Sequence, residues 1–180
     1  MSVPVLPASN FSRALDFVLD HEGRVCERVD GDPGGKTKWG ITQNDYDTYR
    51  TRIGETDADV FDATEAEITA IYHLQYWLPL LCDSLPYSVA LTVFDTGVNV
   101  GTGRCRTWLR AILGIGQFDM WISAAHLYIE KHGSEGLANA VIHRRNAYYR
   151  QIGAPGMPLH KFLDGWLNRT ADLAKEVAAA

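Results

Sequence analysis

Apolar residues recur at helical spacing along most of the chain, and this period sets the expected architecture. Phe11, Leu15, Val18 and Leu19 repeat at intervals of three and four, which predicts an amphipathic helix from Ser9 or Ser12 to residue 22. Carrying the register forward puts Glu22 on the face of Phe11, Leu15 and Val18, with Gly23 as the stop. The period then changes. Residues up to Val29 suit a short strand, Asp30-Gly-Asp-Pro-Gly-Gly35 is dense turn chemistry, and Thr37, Trp39 and Ile41 alternate with Lys38, Gly40 and Thr42. A small hairpin or irregular element is therefore expected beside the end of the first helix, with Asp30 or Asp32 brought across from Glu22.

Helical period returns after Thr42, which caps a predicted helix over about 43–52, and the acidic stretch 54–62 reads as a loop. Thr64-Glu-Ala-Glu67 is a capping box opening a helix that carries Ile68, Ile71, Tyr72 and Trp77 and ends at Pro79. Residues 84–99, with Val89, Leu91, Val93, Phe94 and Val98, form the most apolar helix and the expected centre of a core. Helices follow over 104–113, 118–132 and 134–152, each stopped by glycine, and a last one runs from 159 to about 177. The fold class predicted is mainly α: two closely packed lobes, 1–84 and 85–180, with one small β element after the first helix.

Composition narrows the class of function. With 46% apolar residues and five Trp, 180 residues suffice for a real core. No run of about eighteen apolar residues occurs, so no membrane span is expected. The first ten residues lack the basic and apolar regions of a secretory signal, and synthesis in the cytoplasm is the expectation. Cys26, Cys82 and Cys105 are widely spaced, no CxxC occurs, and the six His are scattered, so neither a metal site nor another cofactor is read from them. The net charge of −5 is uneven: 7 Lys and Arg face 15 Asp and Glu in residues 1–84, against 10 and 7 in residues 85–180. The basic excess is weak and lacks interleaved aromatics, which disfavours nucleic acid as a partner.

Two motifs are decoys. Gly35-Lys36-Thr37 resembles the end of a phosphate-binding loop, but the glycine required five residues earlier is Asp30 and an extended arm follows. Asp30-Gly-Asp32 resembles the start of a calcium loop whose twelfth position would be Ile41 rather than Glu. Glu22 is different. A carboxyl on the apolar face of a helix, at its negative end, is disfavoured in its charged form by both burial and the dipole, which suits a proton donor.

With these residues in view, the chain resembles glycoside hydrolase family 108, lysozyme-like muramidases found as phage endolysins and secretion-associated muramidases. Glu22-Gly23 followed by Asp32-Pro-Gly-Gly-Lys-Thr37-Lys-Trp-Gly-Ile41 is similar to the family's Glu-Gly-Gly-Tyr motif and its downstream Asp-x-Gly-Gly-x-Thr-x-x-Gly-Ile. Arg24 and Val25 stand where that pattern has Gly and Tyr. Phe94-Asp-Thr-Gly-Val-Asn99-Val-Gly101 resembles the opening of a C-terminal region described as peptidoglycan-binding, and Arg145-Asn-Ala-Tyr-Tyr149 and Phe162-Leu-Asp-Gly-Trp166-Leu-Asn-Arg169 resemble its close.

The resemblance implies hydrolysis of the β-1,4 bond between N-acetylmuramic acid and N-acetylglucosamine in peptidoglycan, by a monomer that reaches the wall through a holin or another export route. Glu22 is then the general acid and Asp32, with Asp30 as alternative, the second carboxylate. A separation of about 6.5–9.5 Å would mean inversion and about 5–5.5 Å retention. Thr37, Trp39 and Asn99 are the candidate substrate contacts. Trp39 could stack on a sugar face or belong to the core. The arginines at 104, 106, 110, 144, 145 and 150 suit attraction to anionic wall polymers. Two alternatives stay open: a non-catalytic peptidoglycan-binding or secretion-accessory protein, and a lytic transglycosylase using the same Glu.

Overall fold

Helix α1 (Asn10–Glu22) begins where Ser9 accepts a hydrogen bond from the Ser12 amide at 3.1 Å, and it buries Ala14, Leu15, Val18 and Leu19. A computed structural model describes residues 9–28, 35–116 and 120–180, with the backbone alone for 26–28. Strands β1 (Cys26–Arg28), β2 (Lys36–Lys38) and β3 (Ile41–Thr42) form one antiparallel sheet in the order β1-β2-β3. The arm expected over 36–42 is thus two short strands. Lys38 pairs with Ile41, leaving Trp39 and Gly40 as a two-residue loop with φ of 50° and 78°. Positive φ at both central positions is the signature of a type I′ turn, whose twist matches that of the flanking strands.

The sheet is tied to the segment after α2 (Gln43–Ile53) by two lysines. Lys36 pairs with Asp59, and Lys38 Nζ donates to the carbonyls of Phe61 and Ala63, both at 2.7 Å. Alternation along β2 sends Thr37 to the opposite face. Thr42 caps α2 by accepting from the Asp45 amide at 3.2 Å. The capping box forms at α3 (Glu65–Tyr72): Thr64 accepts from the Glu67 amide and the Glu67 carboxylate accepts from the Thr64 amide. Glu67 also takes hydrogen bonds from Tyr46 at 3.0 Å and Arg50 at 3.1 Å, which ties α2 to α3. Thr64→Ala removes the cap and is expected to cost about 1 kcal/mol, read as a lowered urea midpoint.

The helix that opens at Thr64 does not run on as α to Pro79. It passes into a π turn, His73–Trp77, closed by the Leu78 amide donating to the His73 carbonyl at 2.9 Å. Trp77 is buried, and its ring meets that of Phe11 edge-on at 5.3 Å.

The chain divides into two compact units, Met1–Leu78 and Pro79–Ala180. In the second, α4 (Tyr87–Val100) is buried from Ser88 to Gly97 and packs against α5 (Thr102–Leu113), α6 (Trp121–Ile152) and α7 (Leu163–Ala178). The two helices expected over 118–132 and 134–152 are joined as α6, with Gly133 at φ 77° and ψ 161° breaking the helical backbone between them. A carboxylate lies at the centre of this unit. Asp95 is fully buried on α4, paired with Arg145 of α6 and with Arg169 of α7 at 2.6 and 2.9 Å.

Candidate active site

Glu22 is the last residue of α1, with its side chain half-buried against the β2–β3 turn. Gly40 makes that approach feasible. A Cβ added there would lie 3.2 Å from Glu22 Oε2, 3.1 Å from its Cγ and 2.6 Å from the Tyr72 hydroxyl. The same hydroxyl donates to the Trp39 carbonyl at 2.9 Å, so α3 holds the turn in place against the acid. Trp39 adopts a left-handed conformation that costs a non-glycine residue about 1–3 kcal/mol, and such strain concentrates at functional sites. Gly40→Ala adds both that strain and the clash. It is expected to destabilise the fold by about 1–3 kcal/mol and to displace Glu22, measured as a lowered melting temperature together with lost activity.

The wall of the site continues onto the π turn. Tyr76 packs against Tyr72 with ring centroids 5.8 Å apart. Burial first, and then the charges of Asp45 and Glu22, push its phenol up to about 12, so it stays a neutral hydroxyl near both carboxylates. Asp45 is held in turn by the Thr42 hydroxyl at 2.7 Å. Turns of π-helix occur frequently at functional sites, because the wider turn re-aims the side chains it carries. On the other side of the turn, the Arg24 guanidinium lies over the Trp39 ring at 5.6 Å.

The predicted site residues fall in three places. Glu22, Thr37 and Trp39 belong to the first unit, with Trp39 in the turn that touches the acid and Thr37 on the β2 face away from the lysines. Asp30 and Asp32 lie outside the described residues. Asn99 belongs to the second unit, where its amide donates to the Asp95 carbonyl at 3.3 Å and it accepts from the Tyr149 hydroxyl at 3.4 Å. Tyr149 accepts from Arg145 Nε at 2.7 Å and stacks on Trp166 at 4.9 Å. The family-like blocks of the second half therefore meet in one buried network around Asp95.

Sequence reasoning missed Gly40, Tyr72, Tyr76 and Asp45 as neighbours of the acid. A signal for the turn was present: Trp39-Gly40 sits between residues of high strand propensity, as a two-residue hairpin loop does. The tyrosines, four apart on an apolar helix, read equally well as core. Among the described residues, no group of three or more His, Cys, Asp or Glu is placed to hold a metal ion.

A mainly α chain with a three-stranded sheet following the first helix, and a carboxylic acid at that helix's end, has a lysozyme-like fold. Residues 15–101, the stretch carrying Glu22, the β2–β3 turn and α4, match the family model described as glycosyl hydrolase 108. The solved structure of Brucella abortus SagA shares the fold, with a TM-score of 0.74 at 23% identity over 94% of each chain. No curated protein matches the sequence. The second-half blocks 145–149 and 162–169 lie beyond the matched residues.

Proposed function

We propose that the protein is an N-acetylmuramidase that hydrolyses the β-1,4 bond between N-acetylmuramic acid and N-acetylglucosamine in peptidoglycan, with Glu22 as general acid. One observation carries the reading: the Glu22 carboxyl lies at the end of α1 against a side-chain-free Gly40, in a turn that the Tyr72 hydroxyl pins through the Trp39 carbonyl. Glycoside cleavage needs a carboxyl that protonates the departing oxygen and a second group that stabilises or attacks the oxocarbenium-like centre. A proton donor fixed on a rigid helix end, beside a pinned turn, avoids the orientational cost of finding the glycosidic oxygen. Asp32 or Asp30 is the proposed second carboxylate. Thr37 and Trp39 contact the sugar or its attacking water. The enzyme acts on the wall after export from the cytoplasm.

The test is the chemistry of the products. Purified peptidoglycan is digested and the fragments are analysed by mass spectrometry. Reducing N-acetylmuramic ends are expected. Anhydromuramic ends would make the protein a transglycosylase, reducing N-acetylglucosamine ends would move the cut to the other linkage, and an undigested wall would leave a binding protein.

A further inference from the structure

Arg24 is two residues beyond Glu22, and its guanidinium lies over the ring, 5.6 Å from the centroid, of Trp39, the residue adjoining the glycine that touches the acid. We infer that Arg24 is the carboxylate-recognising group of this site, so that the enzyme takes its glycan strand by a free carboxylate carried on the muramyl residue or on the peptide attached to it. The inference rests on the muramidase reading and adds a specificity residue to it.

The geometry suits that role. A guanidinium lying over an aromatic face turns its N–H edge away from the ring, in the plane where a carboxylate accepts two parallel hydrogen bonds. The contact also restricts the side chain, so less entropy is lost when a ligand binds. Arg24 is 44% exposed, and its present partners are weak ones: Asp16 at 3.5 Å and Glu65 at 3.9 Å, themselves 67% and 72% exposed. Exposed pairs of this kind contribute little, which leaves the guanidinium exchangeable toward a better acceptor. The surroundings point to the same ligand class. In a lobe with 15 acidic residues against 7 basic ones, an anionic strand is repelled unless a cation meets it beside the acid. Lys36 and Lys38 are engaged with Asp59 and with carbonyls on the other face of β2.

The test compares wild type, Arg24→Gln and Arg24→Lys on three preparations of one peptidoglycan: native strands, strands stripped of peptide so that the lactyl carboxylate is free, and strands whose carboxylates are all converted to amides. On native strands Arg24→Gln is expected to raise KM about tenfold with kcat within about twofold, the pattern of lost uniform binding. Arg24→Lys, which keeps the charge without the fork, falls between. On amidated strands wild type and Arg24→Gln behave alike. A loss on native strands, where the lactyl carboxyl is tied up as the amide to the peptide, assigns the carboxylate to the peptide, and a loss confined to stripped strands assigns it to the lactyl group. An Arg24→Gln enzyme equal to wild type on both native and stripped strands, or impaired by the same factor on amidated ones, overturns the inference. Wild type failing to release reducing muramic ends from native strands overturns the muramidase reading instead.

Discussion

Glu22→Gln is expected to lower the release of reducing ends from purified peptidoglycan by about 10²–10⁴-fold while leaving the circular-dichroism spectrum and urea midpoint of the protein unchanged. The substitution keeps the shape of the side chain, so its close approach to Gly40 can be retained. In the proposed mechanism it removes the one proton that the departing oxygen must receive. Because the change acts on the transition state, it should appear in kcat with little effect on KM. Glu22→Asp separates position from chemistry: it retains an acid but withdraws it by one methylene, and geometry at this scale governs catalytic efficiency. Clearing equal to wild type by the Gln variant would remove Glu22 from the mechanism.

The largest effect on stability is expected at Asp95, far along the sequence from the acid. Its carboxylate is fully buried between Arg145 and Arg169. Asp95→Asn leaves two guanidinium groups without their counter-charge, and breaking such a pair from one side costs about 3–5 kcal/mol. A fall of this size should be seen in urea unfolding followed by a probe in the second unit. Replacing Asp95, Arg145 and Arg169 together with apolar residues of similar volume should recover most of the loss, because the expense lies in an uncompensated buried charge.

The same group governs stability in acid. Burial by itself would raise the Asp95 carboxyl, but Arg145 and then Arg169 outweigh it and hold the group below the ordinary carboxylate value. A carboxyl depressed on folding contributes stability that is fully present above its unfolded value of about 3.9 and disappears as pH falls through the folded value. The wild-type protein should therefore keep this contribution from neutrality down to about pH 4 and lose it below. The urea midpoint measured across that range checks the sign.

Much of the local architecture was legible in the chain. The caps at Thr42 and Thr64 depend on side chains bonding to amides three residues on and form where the sequence places them, and Ser9, one of the two starts the sequence left open, caps α1 in the same way. The end of α1 at Glu22 follows from the helical period and the glycine after it. Where the reading failed, longer-range packing decided. A continuous arm over 36–42 was a fair inference from alternation, yet the Tyr72 hydroxyl bonds the Trp39 carbonyl 33 positions away and stabilises a turn there. The straight helix to Pro79 likewise became a π turn that buries Trp77 against Phe11.

The site divides along the same line. Sequence alone determined that a carboxylic acid ends the first helix and that turn chemistry follows, since both are written in neighbours a few residues apart. Only the tertiary structure decided which groups surround that acid, and that Asp95 finds Arg145 and Arg169 at separations of 50 and 74 residues. No period links such positions. They meet because burying each apolar face fixes where the helices lie, and a charge carried into that interior is tolerated only where its partners arrive with it.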